Sequence, residues 1–153
     1  MKVTYNQIIK RFEDYVASHD LLYRFTSGEV EVADLPLEVN YPSMHITPIG
    51  VSFGEGTANF DFDVIVYSQH RDSGDSDAWI KYHLSDTLQI MSDLIAEIKN
   101  GFTQFEKDKT FVLTLPVNCV PFIEEGNNIT EGWIMSVTIQ TPYTANSCIA
   151  PVS

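Results

Sequence analysis

The sequence has few basic residues. Nine Lys and Arg stand against 21 Asp and Glu, which gives a formal charge of −12. A surface of this sign repels the phosphates of nucleic acids and anionic membranes, so tight binding to the outside of DNA is disfavoured. Three explanations of the charge stay open: solubility, a basic partner, or a channel wall along which DNA passes without binding.

Cysteine and long apolar runs are also scarce. The two cysteines, Cys119 and Cys148, do not form a CxxC pair and cannot build a disulfide framework, so we expect reduced thiols. The N-terminal residues contain no apolar signal region, and no apolar run approaches the roughly 20 residues that a membrane span needs. The sequence therefore predicts a protein without membrane contact that is made in the cytoplasm and stays there or enters a particle.

Patterns that carry chemistry are missing. No two of the four histidines (His19, His45, His70 and His83) have HxxxH or HxH spacing, and they are expected to face solvent or to lie at helix ends. Asp61 and Asp63 share one strand face, as metal-binding carboxylates do, but the only ExK sequence near them closes a helix. We predict no catalytic residue, metal ligand or cofactor site, and a small metal-dependent hydrolase is kept as the less favoured alternative.

The residues that are present indicate a folded core. An apolar content of 44%, with nine Phe, seven Tyr and two Trp, is enough for one domain over residues 1–153, with a loose C-terminal arm from about residue 143. Thr4 and Gln7 form a capping box, and helical apolar spacing behind them predicts a first helix that ends near His19. A short strand around residues 21–25 should follow, whereas the prolines between Glu29 and Pro48 predict irregular or edge material without a long strand.

The strongest β pattern is a hairpin. Ile49, Val51 and Phe53 alternate up to a Gly-Glu-Gly turn at residues 54–56, and the return strand should bury a row of four side chains on one face. A one-residue slip of that strand would move Asp61 and Asp63 into the core, so the register is fixed. The predicted buried row consists of Phe60, Phe62, Val64 and Val66.

The second half of the chain predicts a long helix and two strands. A polar loop over residues 68–77 should lead into a helix from Ala78 to Asn100, whose apolar stripe is Leu84, Leu88, Met91, Ile95 and Ile98, with Ile80, Thr87 and Leu94 beside it. A strand over residues 111–116, a loop over 124–131 and a final strand around residues 133–140 complete the pattern. The expected class is α+β: an antiparallel or mixed sheet with a long hairpin, packed by one long helix and an N-terminal helix.

This order of elements resembles the tail-terminator and tail-completion proteins of tailed bacteriophages. The segments that carry the resemblance are the hairpin of residues 49–67, the helix of residues 78–100 and the ending GWIMSVTIQTP at residues 132–142. The resemblance covers nearly the whole chain and contains no invariant motif. The proline-interrupted stretch before the hairpin departs from the family pattern, so another neck or ring component is also compatible with it.

The resemblance implies a structural virion protein without enzymatic activity. Such a protein would form a sixfold or twelvefold homo-oligomeric ring in the neck or tail, between the portal or connector and the tail or neighbouring rings, with at most passive contact to DNA in the channel. A viral or non-viral protein-binding module is the alternative. Apolar and turn residues outside the predicted core are the candidate interface: Leu35, Leu37, Tyr41, Gly54, Glu55, Gly56, Tyr143 and Ile149.

Overall fold

The structure is a computed structural model that describes residues 5–22, 24–28, 42–71, 76–99, 112–125 and 128–142. Within these ranges it contains two helices and six strands. The helices are α1 (Tyr5–Ser18) and α2 (Ser76–Lys99), and the strands are β1 (Arg24–Ser27), β2 (Ser43–Phe53), β3 (Thr57–Arg71), β4 (Val112–Leu113), β5 (Cys119–Glu125) and β6 (Asn128–Pro142).

The strands form one mixed sheet in the order β1-β2-β3-β6-β4, and β5 pairs with β6 as well. β1 runs parallel to β2, whereas β3 is antiparallel to both β2 and β6. β4 and β5 both lie along the same side of β6, β4 near its C-terminal end and β5 near its N-terminal half. The α+β class and the long hairpin predicted from the sequence are thereby confirmed.

One face of the sheet packs against the two helices and holds the main core. The predicted row of Phe60, Phe62, Val64 and Val66 is buried there, as the alternation of β3 requires. α1 adds Phe12, whose ring centroid lies 6.1 Å from that of Phe62. α1 begins and ends where the capping box and the apolar spacing predicted. Its buried side chains are Ile8, Phe12, Tyr15 and Val16.

The buried face of α2 is rotated relative to the predicted stripe. Met91 and Ile98 are buried, but Leu88 is 41% exposed and Leu84 only partly covered. The centre of the helix–sheet contact is instead formed by residues that the stripe left out or placed at its side: His83, Thr87, Ile90 and Leu94. Leu88 was thus wrongly predicted as a core residue, because His83 and Thr87 look polar in sequence and shifted the apparent centre of the stripe.

The expectation of no long strand before residue 48 was wrong. β2 begins at Ser43, and its first four residues, Ser43 to Ile46, are fully buried between β1 and β3. Pro48 is tolerated because pairing with β1 ends at Ile46 and the register with β3 shifts between Pro48 and Gly50. A proline at a bulge beyond the end of a neighbouring strand leaves no ladder donor missing. Residues 29–41 lie outside the described residues.

Two further loops of the sequence prediction are strands. Residues 68–71 continue β3, where Ser68 pairs with Glu131 and Gln69 with Thr130. Most of residues 124–131 belongs to β5 and β6, so the final strand is longer than predicted. Of the described residues in the strand predicted at 111–116, Val112 and Leu113 are paired in the ladder. These polar segments form strands because they pair with one another: residues 128–131 of β6 have residues 68–71 of β3 on one side, and residues 129–131 have β5 on the other.

The second face of the sheet carries a smaller cluster. Ile65 and Tyr67 are buried there, with Phe122 and Ile134 packed against them. Gly132 pairs with Tyr67 of β3 and with Phe122 of β5. A Cβ atom at position 132 would collide with the Val66 carbonyl oxygen and lie 2.7 Å from the Tyr67 Cα. Only glycine allows this close approach of the two strands.

Candidate functional site

The hairpin between β2 and β3 ends in a tight turn at residues 54–56, which we call the hairpin tip. The Gly54 N–H donates a 2.9 Å hydrogen bond to the Thr57 carbonyl oxygen, and Gly56 has a φ of 78°. A left-handed residue at this place is the reason that the turn needs glycine. Gly54, Glu55 and Gly56 are all exposed, so three of the predicted interface residues form one accessible loop.

The strand before the hairpin tip is apolar and exposed. Ile49, Val51 and Phe53 are 60%, 44% and 64% exposed, although they lie within strand β2. Residues 47–52 also have no second strand partner on the side away from β3 in the described part of the chain, since β1 pairs only with residues 43–46. An edge with unused backbone groups and exposed apolar side chains is a template for pairing with another chain.

The end of β6 lies beside the hairpin tip. The last described residue, Pro142, pairs with Thr57, the first residue of β3. The hairpin tip and the end of β6 are therefore at one corner of the sheet, although more than 80 residues separate them in sequence. Two of the three interface segments that the sequence predicted begin at this corner. Leu35, Leu37, Tyr41, Tyr143 and Ile149 lie outside the described residues.

A second set of exposed apolar side chains lies at the opposite edge of the sheet. Val112 of β4 and Leu115, two residues after β4, are each 52% exposed. Val120 and Ile123 of β5 are 60% and 48% exposed. The sequence analysis did not single out this edge, because β5 was not predicted and the strand predicted at residues 111–116 was not assigned a place in the sheet. The sheet therefore has an apolar margin on each side.

A polar pair lies under α2 at the end of the sheet away from the hairpin tip. His83 of α2 contacts Glu131 of β6 through Nδ1 and Oε1, and both side chains are almost completely buried. The Thr87 hydroxyl donates a 2.6 Å hydrogen bond to the His83 carbonyl oxygen, and Trp133 Nε1 donates one of 2.8 Å to the Leu84 carbonyl oxygen. These contacts fasten the first half of α2 to β6. Sequence reasoning missed the pair, since 48 residues separate its members.

The other described histidine side chains are also engaged in contacts. His45 is buried, with Nδ1 2.6 Å from the Thr26 hydroxyl and Nε2 2.9 Å from the Gly28 carbonyl oxygen. A carbonyl can only accept, so Nε2 carries a proton and ties β2 to the end of β1. His19 lies 3.3 Å from the Asp93 carboxylate of α2. The expectation that histidines face solvent or lie at helix ends was therefore wrong for His45 and for His83, because strand and helix packing buries both.

The paired carboxylates of β3 have simple partners. Asp61 accepts a 2.6 Å hydrogen bond from the Thr138 hydroxyl, and Asp63 accepts one of 2.7 Å from the Ser136 hydroxyl. Both lie on the sheet face opposite the main core. Among the described residues, no group of three or more His, Cys, Asp or Glu side chains could hold a metal ion. The two side-chain hydrogen bonds of Asp61 and Asp63 link β3 to β6.

Burial raises the pKa of the Cys119 thiol, so its reactive thiolate form is disfavoured. Within the described ranges, neither helix is long and apolar enough to cross a membrane.

No protein-family model matches the sequence, and no curated protein matches it. The apolar margin at the hairpin tip is thus the feature on which a functional argument can rest.

Proposed function

We propose that this protein is a structural subunit of a ring in the neck or tail of a tailed bacteriophage, where it joins the portal or connector to the tail. The observation that carries the proposal is the exposed apolar strand of Ile49, Val51 and Phe53 next to the hairpin tip. An ordinary solvated hairpin would place polar side chains at these positions, whereas a contact with another subunit would bury them.

The charge of the chain limits how such a ring is held together. Subunits of charge −12 repel one another, so charge attraction between copies cannot drive assembly. The contact must come from apolar burial and backbone pairing, which are the two properties of the exposed half of β2. The acidic surface fits a basic partner or a lumen through which DNA passes without binding.

The order of elements supports the phage assignment. The long hairpin, the helix α2 across the sheet and the final strand β6 are the segments on which the resemblance to tail-terminator and tail-completion proteins rests. The structure contains each of these segments. The same exposed strand also fits a protein-binding module that adds a strand to its partner, and this is the competing function.

The decisive experiment locates the protein. A gold-labelled antibody should mark the neck or tail of particles assembled with this chain, and mass spectrometry of purified particles should find it at a fixed copy number. A protein that is absent from particles but recovered with a single host or viral partner would favour the binding module instead.

Two variants connect the surface to the location. Replacing Val51 and Phe53 together by Asp should leave the chain folded and abolish its incorporation into particles, because both side chains are exposed in the monomer. The matched control is Leu21→Asp, since Leu21 is 54% exposed but lies outside the apolar margins of the sheet. Normal incorporation of the double Asp variant would show that the hairpin surface is not the interface.

The C-terminal arm gives an independent test. Deleting residues 143–153 removes nothing from the described core, so the truncated chain should fold as a monomer. We expect it to be missing from particles, because the arm starts at the same corner as the hairpin tip. Incorporation at the normal copy number would exclude the arm as an interface.

A further inference from the structure

The two apolar edges of the sheet have complementary strand directions. β2 is antiparallel to β3, β3 is antiparallel to β6, and β4 is antiparallel to β6. β4 at one edge therefore runs antiparallel to β2 at the other. When two identically oriented copies stand side by side, β2 of one meets β4 of the next in antiparallel sense, which allows a regular backbone ladder.

The accessible parts of the two edges also lie at the same height in the sheet. Ser52 pairs with Asn59, Asn59 with Gln140, and Gln140 with Val112, so Ser52 and Val112 end one row of residues across the sheet. Residues that pair directly across neighbouring strands project to one face of a sheet. Both end residues are exposed: Ser52 lies between the apolar Val51 and Phe53 on one edge, and on the other Val112 is itself apolar, with Leu115 three residues further along the chain.

Prolines restrict where pairing can occur. Pro48 interrupts β2 on the side of the sheet away from the hairpin tip, and Pro121 does the same in β5. A proline lacks the N–H that an added strand would use, so it weakens an edge as a template. The stretches without such a block are residues 49–53 and β4, and both lie at the hairpin-tip end.

We infer that a second copy of this chain occupies each edge: residues 49–53 of one subunit pair with β4 and Leu115 of the next. This contact is heterologous, meaning that it joins two different surfaces, so it repeats from one subunit to the next and closes into a ring when the rotations between neighbours add up to a full turn. A symmetric contact between two β2 edges would instead give a dimer and leave Val112 and Leu115 exposed. The inference rests on the proposed ring function and names the surfaces that build it.

Cysteine cross-linking distinguishes the two contacts. In a Cys119→Ala, Cys148→Ala background, Ser52→Cys and Val112→Cys are introduced singly and together, and purified particles are treated with a bismaleimide whose spacer of roughly 7 Å tolerates a shift of about two residues. The double variant should give a ladder of covalent products that ends at the ring size. Each single variant should stay monomeric on a denaturing gel, and a mixture of the two singles should stop at dimers. Ala17→Cys with Val112→Cys is the control, because Ala17 is exposed on α1.

The outcomes separate the inference from the proposed function. Dimers from Ser52→Cys alone would overturn the heterologous contact in favour of a symmetric one. Particles that contain the protein but give no ladder would overturn the inference while leaving the ring proposal standing. Particles without the protein would count against the proposed function, and the same reaction on the concentrated full-length chain would then decide: a ladder supports the edge contact, and its absence overturns it.

Discussion

The two halves of strand β2 differ in burial and in strand pairing. The first half, Ser43 to Ile46, is buried and lies between β1 and β3. Both ring nitrogens of its His45 are hydrogen-bonded, one to the Thr26 hydroxyl and the other to the Gly28 carbonyl oxygen. The second half, from Ile49 to Phe53, carries exposed apolar side chains, and β3 is its strand partner in the described part of the chain. Strand formation alone therefore does not place a side chain in the core. Burial depends on what the neighbouring strand and the helices cover, and here the cover ends near Pro48.

The largest effect should come from a glycine in the covered half of the sheet. Gly132→Ala places a Cβ against the Val66 and Tyr67 backbones, which cannot move without breaking the β3–β6 ladder. We expect a loss of more than about 4 kcal/mol, at the extreme of single substitutions. Gly50→Ala in the exposed half meets no atom within 4 Å and should change stability by less than about 1 kcal/mol. Urea denaturation measures both, and similar losses would remove the contrast between the halves.

The parts of this fold that could be predicted are those in which local pattern and final environment agree. The apolar residues of α1 follow helical spacing, and those of β3 and of the centre of β6 alternate along the strand, in each case in step with the buried face. The covered half of β2 could not be found, because prolines at positions 42 and 48 flank it and indicate a loop. β5 was missed for the same reason, since Pro121 lies within it and acidic residues end it.

The hairpin turn of the candidate site could be predicted from the sequence, but the exposed apolar surface beside it could not. The glycines of the hairpin tip announce an exposed loop by their backbone requirements alone. The exposure of Ile49, Val51 and Phe53 depends on where α1 and α2 stop covering the sheet, which no local pattern contains. The His83–Glu131 pair is likewise a tertiary contact between a helix and a strand. Sequence gives the residues of such features but not their partners.

The second prediction concerns that buried pair, at the end of the sheet opposite the hairpin tip. Glu131→Ala removes one partner of a buried polar contact and should cost about 3–5 kcal/mol. Glu55→Ala at the hairpin tip is the matched control, because Glu55 is exposed, and it should stay within about 0.5 kcal/mol. In a double-mutant cycle, adding His83→Ala to Glu131→Ala should cost less than the two single losses together. Additive losses would show that the two side chains do not interact.

The third prediction compares the halves of β2 directly. Ile46→Ala truncates a side chain with no exposed surface and should cost about 2–5 kcal/mol. Val51→Ala removes apolar surface that water already reaches, so its free energy of unfolding should change by less than about 0.5 kcal/mol. Thermal or urea melts of the two purified variants check this. A large loss for Val51→Ala in the monomer would mean that the second half of β2 is part of the core after all.

The smallest effect at neutral pH should come from Tyr15, which belongs to the same core cluster as Ile46, and this effect should depend on pH. Burial raises the pKa of the Tyr15 phenol well above its usual range, and the carboxylates of Asp93 and Glu97 on α2 raise it further. Since the folded-state pKa is raised, this contribution to stability is present below the unfolded value of about 10 and is lost as the pH rises beyond it.

Tyr15→Phe should therefore keep or slightly improve stability at pH 8, because the Tyr15 hydroxyl is buried without a hydrogen-bond partner among the described residues. As the pH rises through 10 to 11, the wild type should lose stability relative to the variant, and urea denaturation at both pH values measures the difference. A constant difference between the two proteins would show that Tyr15 can ionise without leaving the core, so that the helix-covered half of the sheet is no better shielded from water than the hairpin tip.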